Sequence, residues 1–127
     1  MSAEILTRDE LKKKAAKLKA EGELLVFTNG CFDILHVGHI RYLKKAASLG
    51  DKLILAVNSD SSVKKLKGSN RPYVPEAERM EILSALDMID FLVLFSEVDC
   101  RGVLEDVRPQ IYVKGGDYRL EDLPEAE

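Results

Sequence analysis

The residues with the most chemical character lie in one short stretch, TNGCFDILHVGHI, residues 28–40. It holds both histidines of the chain, His36 and His39, three positions apart with Gly38 between them. Three chemistries suit such a pair. Both rings could be satisfied by backbone or water and serve structure alone. They could bind a metal, but H-x-x-H needs further ligands, and no nearby cysteine or carboxylate pair supplies them at a recognised spacing. They could bind phosphate. A helix starting at Gly38 puts His39 in its first turn, where unpaired N–H groups and the positive end of the helix dipole attract anions. Gly38 lets backbone approach a ligand, and two imidazoles donate hydrogen bonds without a permanent full charge. Phosphate binding is favoured, and the structural and metal readings stay open at this stage.

The elements that must position this stretch follow from apolar patterning. Short apolar runs at 24–27, 53–57, 91–95 and 111–114 read as strands buried on both faces. Between them, helical spacing is expected at 38–49, 76–87 and 99–107, and a first helix at 7–21. Thr7 and Glu10 give that first helix a capping-box signature. Strands alternating with helices predict an α/β fold: a Rossmann-like, doubly wound, mainly parallel sheet. Such sheets bind ligands beyond the carboxyl ends of their strands. Each unusual polar cluster falls at such an end: residues 28–39, then 58–60 with the basic loop 64–71, then 114–117. A small-molecule site, best suited to a nucleotide, is therefore expected from separate loops.

Composition sets the outer bounds. A length of 127 residues fits one domain, read here as residues 1–127. A net charge of −3 excludes bulk electrostatic binding to nucleic acid, and the basic loop lacks the interleaved aromatics of an RNA-binding surface. No apolar run approaches the ~20 residues that span a bilayer, and the N-terminal residues lack the apolar core of a secretory signal. A cytoplasmic protein with no membrane partner is the expectation. Cys31 and Cys100 are expected as two thiols rather than a disulfide.

The constellation NGCFDILHVGH resembles the H-x-G-H signature of the cytidylyltransferase-like nucleotidyltransferase superfamily. Asn58-Ser59-Asp60, the loop LKGSNRP, Glu78-Arg79 and VKGGDY add to the likeness. Together they are most similar to the adenylyltransferases that make ADP-heptose, as stand-alone enzymes or as half of a bifunctional heptose kinase/adenylyltransferase. TNGCFD with LKG and KGGDY carries most of that specificity. The resemblance implies transfer of AMP from ATP to a sugar 1-phosphate by in-line attack on the α-phosphorus, with no covalent enzyme intermediate and with release of pyrophosphate. A related enzyme using CTP with glycerol 3-phosphate, and a nucleotide-binding module without turnover, are the alternatives.

By that resemblance His36, His39, Lys67 and Arg79 are the candidate catalytic residues, with Lys67 as a mobile cation. A solvated basic loop is the plain alternative for Lys67, and a helix-surface ion pair for Arg79. Thr28, Asn29, Gly30, Phe32 and Gly38 would line the nucleotide and sugar phosphate, and Asp33 would organise the loop or hold sugar hydroxyls. Asn58, Asp60, Lys64, Lys65 and Arg71 would surround the phosphates. Lys114, Gly115, Gly116 and Asp117 would meet the adenine and ribose. Cys31 is expected to be structural, since the reaction needs no thiol nucleophile. Mg²⁺ is expected to ride on the triphosphate rather than on a protein ligand set, and relatives that pair point to a homodimer. Members of the family continue past KGGDY with a strand and a Ser/Thr-rich segment. For this sequence, which ends at Glu127, the expectation is either a chain cut short or one lacking those nucleotide contacts, and the helix starting soon after Met1 fits a stand-alone enzyme.

Overall fold

The apolar runs assemble as one five-stranded, all-parallel sheet in the order β1-β4-β3-β2-β5. The computed structural model describes residues 3–97 and 99–113. The strands are β1 (Glu4–Leu6), β2 (Leu25–Gly30), β3 (Lys52–Asn58), β4 (Phe91–Phe95) and β5 (Ile111–Tyr112). The helices are α1 (Arg8–Ala20), α2 (Val37–Ala47), α3 (Asp60–Lys67), α4 (Glu76–Ser84) and α5 (Arg101–Val107).

Successive side chains of a strand point to opposite faces, so each strand feeds two cores. Val26, Leu53, Leu55, Val57 and Leu92 pack with Leu43 and Ala46 of α2 and Met80 and Leu83 of α4. Leu25, Phe27, Ile54, Ala56, Phe91, Val93 and Phe95 pack with Leu11 and Ala15 of α1 and Val103 and Val107 of α5. The doubly wound sandwich expected from the sequence is what forms. From β2 the chain steps outward through β3 to β4. It then crosses back to add β5 on the other side of β2. The helix leaving β2 and the helix entering β5 thus cover opposite faces, which opens a crevice at the carboxyl end of β2.

Several expectations are corrected in detail. The first strand runs three residues beyond Phe27, so Thr28, Asn29 and Gly30 are paired with Leu55, Ala56 and Val57 rather than looped. Half of the segment read as a basic loop is helix α3, started by Ser59, whose hydroxyl accepts from the Ser62 N–H. Its eight residues carry too few apolar positions to show a period. The helix read over 76–87 closes at Ser84, with Ala85 as its cap. Strand β1 was not expected. It is a three-residue edge pairing with β4, too short for alternation to reveal. The first helix forms as read, with Thr7 and Glu10 exchanging both capping-box hydrogen bonds. Among the described residues no helix is long and apolar enough to cross a membrane.

The central strands carry the load of this architecture. Leu55, 0% exposed in β3, should lose about 3 kcal/mol on substitution by alanine. Ile5, 54% exposed on the edge strand, should lose ~0.5 kcal/mol or less. Urea midpoints of Leu55→Ala and Ile5→Ala against the parent chain measure the contrast.

Candidate active site

At the carboxyl end of β2 the backbone turns sharply. Phe32 adopts φ +51°, a left-handed conformation rare for a bulky residue. The turn folds its ring back over Gly30, where a Cβ would stand 2.7 Å from Phe32 Cε2. The ring also packs against His39, with centroids 5.3 Å apart. Gly30 therefore admits an aromatic ring of the protein itself.

The loop ends at His36, the N-cap of α2. His36 Nδ1 accepts from the Gly38 N–H at 3.0 Å. In return His39 Nδ1 accepts from the His36 N–H at 3.2 Å. The two rings lie 4.1 Å apart between centroids. They form a reciprocal capping box, a role usually filled by a hydroxyl and a carboxamide or carboxylate. Helices α1, α3 and α4 each carry at least one acidic residue in the first turn, while α2 and the short α5 carry none. The positive pole of this 11-residue helix is thus not offset by a first-turn carboxylate, and two imidazoles flank it. Gly38 plays a part that spacing did not reveal. A Cβ there would lie 2.7 Å from His36 Cε1, so its missing side chain makes room for the capping ring.

Behind this turn two arginines are tied into the protein. Arg79 of α4 is 1% exposed. Its Nη1 donates to the carbonyls of Cys31 and Asn58, each at 2.7 Å. Its Nε donates to the Val74 carbonyl at 2.9 Å, and its Nη2 to Asp60 Oδ1 at 2.8 Å. The sequence reading put Arg79 at the phosphates or in an exposed ion pair. The structure buries it as the tie between the ends of β2 and β3. Asp33 is buried as well. It accepts from Arg71 Nε at 2.7 Å and from the backbone N–H groups of Tyr73 and Val74 at 2.9 and 2.8 Å. Of its two expected roles, this geometry serves loop organisation. Arg71 is held there and lies over the Tyr73 ring, 4.4 Å from its centroid.

The other expected residues separate into two groups. Lys64, Lys65 and Lys67 are exposed in the last turn of α3, and the charge of Lys67 reaches the β2 loop strongly enough to act on the Cys31 thiol. Asp60 opens α3, where its N–H donates to Glu76 at 2.7 Å. Asn58 is buried, with its carbonyl given to Arg79. Thr28 is buried too, and its hydroxyl pairs with that of Tyr42, which donates to the Val113 carbonyl. Asn29 accepts from the Tyr112 hydroxyl at 2.8 Å. Thr28 and Asn29 thus bind their own scaffold through their side chains. Lys114, Gly115, Gly116 and Asp117 lie outside the described residues.

Sequence reasoning missed Ser59, Tyr42 and Tyr73 at this site. Only Ser59 left a signal, as a helix-starting hydroxyl ahead of Ser62. Cys31 and Cys100 are not joined in a disulfide. Burial raises the Cys31 thiol pKa and outweighs the opposing pull of Lys67, Arg79 and Arg71, which does not favour a thiolate nucleophile. Among the described residues no three His, Cys, Asp or Glu side chains gather to hold a metal. A cleft of about 400 Å³ adjoins the loop, walled chiefly by Phe32, Ile34, Leu35, Val74, Ile82 and Leu83. Asp33 and Arg79 also line it, so its mainly apolar wall carries two charged side chains.

Residues 27–125 match the family described as cytidylyltransferase-like. The chain is 50% identical over 121 residues to the bifunctional protein HldE of Geobacter sulfurreducens, covering 95% of this chain and 25% of that one. It is 51% identical over 119 residues to the HldE of Pasteurella multocida, covering 94% and 25%. The chain spans about a quarter of the length of these relatives. A solved lipopolysaccharide core biosynthesis protein from Thermoplasma volcanium superposes with a TM-score of 0.69 at 37% identity, covering 77% of this chain and 79% of that one.

The Asp33 network sets a pH dependence. Burial alone would raise the pKa of Asp33, but the N–H groups of Val74 and Tyr73 and the Arg71 guanidinium outweigh it and hold the carboxyl below its ordinary range. Its contribution to stability is therefore present above the unfolded value, ~3.9, and lost as pH falls through the depressed folded value. Asp33→Asn should cost about 2 kcal/mol near neutral pH. The deficit should shrink as pH drops below ~4. Denaturant melts of both proteins across pH check this, and an equal deficit at every pH would contradict it.

Proposed function

The chain belongs to the cytidylyltransferase-like family, and from that membership we propose that it is an adenylyltransferase. It transfers AMP from ATP to the phosphate of D-glycero-D-manno-heptose 1-phosphate, giving ADP-heptose and pyrophosphate. The observation that carries the reading is the first turn of α2. A helix pole without a first-turn carboxylate, bracketed by two imidazoles at the switch point of a parallel sheet, suits an anion that gains charge during reaction. The heptose acceptor rests on the likeness of TNGCFD and LKG to ADP-heptose-forming enzymes and on the ~50% identity to HldE proteins.

In this mechanism an oxygen of the sugar phosphate attacks the α-phosphorus in line and pyrophosphate departs. The two reactants are anions that repel each other, so the protein contributes orientation and preorganised positive potential. His36 and His39 donate to phosphate oxygens as charge builds on the departing group. Lys67, with Lys64 beside it, supplies a mobile charge from the end of α3. Arg79 and Asp33 act indirectly, by fixing the loop ends between which the reactants sit. Asp33 and Asp60 already accept from arginines, so ATP enters as its Mg²⁺ complex, with the ion part of the substrate. When bound, Mg²⁺ neutralises triphosphate charge.

Pyrophosphate release with ATP and the heptose 1-phosphate tests the reading, with CTP and glycerol 3-phosphate as the competing pair. ATP with the heptose should be preferred. Faster turnover of CTP with glycerol 3-phosphate would move the chain elsewhere in the family, and nucleotide binding without product would leave a binding module. His39→Ala should lower kcat by about 10²–10³-fold.

A further inference from the structure

A ring nitrogen that accepts a hydrogen bond must offer a lone pair, so the proton of a neutral imidazole then sits on the other nitrogen. At the start of α2 both histidines accept through Nδ1, His36 from the Gly38 N–H at 3.0 Å and His39 from the His36 N–H at 3.2 Å. We infer that the backbone of this turn locks both imidazoles in the Nε2–H tautomer, and that Gly38 is the positioning residue that permits the lock on His36. A Cβ at position 38 would stand 2.7 Å from Cε1 and 2.9 Å from Nδ1 of that ring, closer than its capping position allows. Each ring then works at both ends. Nδ1 closes the helix, while Nε2 carries the proton.

The importance of the lock for turnover rests on the nucleotidyl-transfer reading, whereas the lock itself does not. Two acceptor phosphate oxygens need two donors, and a ring that spent half its time as the Nδ1–H tautomer would present a lone pair to an anion. Gly38 thus serves catalysis through His36 rather than by touching ligand.

The chain has only two histidines, so ¹⁵N-detected imidazole spectra of the folded protein contain two ring systems. Above the imidazole titration range both rings should show protonated Nε2 and bare Nδ1, and the urea-unfolded chain should show a tautomer mixture. In Gly38→Ala the His36 ring should return toward the mixture, and kcat should fall at least tenfold. A proton on Nδ1 of either ring, or a Gly38→Ala spectrum identical to the parent's, overturns the lock. Should Gly38→Ala fail to fold, a second pair of variants decides. Asparagine places its side-chain oxygen where Nδ1 sits and has nothing at Nε2. His36→Asn should therefore keep the parent melting temperature and lose turnover, whereas His36→Ala should melt about 4 °C lower. Equal melting of the two variants overturns the capping role. Locked tautomers in a chain that releases no pyrophosphate would sink the proposed function and leave the lock standing.

Discussion

A single buried guanidinium organises the carboxyl end of the sheet, where the candidate site lies. Arg79 is almost wholly shielded from water, and a buried charge is tolerated only when its hydrogen-bond donors are met. It meets them on three separate pieces of chain: the turn after β2, the end of β3 with the start of α3, and the segment before α4. Cys31 and Val74 lie outside the strands, and Asn58 is the last residue of β3, so without the arginine these three carbonyls would lose this partner. The loop that presents His36 and the helix that presents Lys67 are thereby referred to one common point. Removing the guanidinium would strand three carbonyls and Asp60 at once, which makes the site's geometry and the local stability one property.

The sheet explains why that point lies where it does. Parallel strands end together at one edge, and β1, β2, β3 and β4 each hand the chain to a helix whose N-terminus faces that side. Reversal of direction at β2 then separates α2 from α5 and leaves the end of β2 open between them. At the far side of this sandwich, Arg8 pairs with Glu97 and Asp106, clamping α1 to α5. Lys19 closes the carbonyl end of α5. Those ties stiffen the face away from α2 and α4.

Much of this was legible in the sequence, for stated physical reasons. Continuous apolar runs such as 53–57 can only be strands with two buried faces, and Thr7 with Glu10 announces a helix start through groups adjacent in the chain. The meeting of the clusters at 28–39 and 58–60 was readable too, since the ends of successive strands have one common place in a parallel sheet. The roles of individual residues were less so. Glu78-Arg79 looks like a surface pair because sequence shows the neighbours of an arginine and not the carbonyls folded around it. Gly38 looked like a ligand approach, although its empty side is filled by His36. Strand β1 gains its identity only from β4, some 85 positions distant. Each of these depends on a contact far away in the chain or on the direction of a ring.

The commitments of the charged groups narrow what is left to meet an anion. Arg71 gives its Nε to Asp33, and Arg79 gives its donors to carbonyls and Asp60. Arg79 is thereby committed to the scaffold, while Arg71 keeps a partly exposed guanidinium beyond its Nε bond. What faces the open end of β2 without a first-turn carboxylate is the pole of α2, the two imidazoles, and the lysines of α3 on an exposed turn. Such a set is graded in stiffness. Backbone N–H groups and capped rings hold fixed directions, while lysine side chains follow the charge as it moves. A reaction that shifts negative charge from one phosphate to the next is served by that division: the rigid donors fix the starting geometry and the lysines follow the product. On the proposed reading Arg79 contributes geometry rather than charge: its donors are spent on carbonyls and Asp60, so the stabilisation of a moving charge falls to the helix pole, the imidazoles and the lysines.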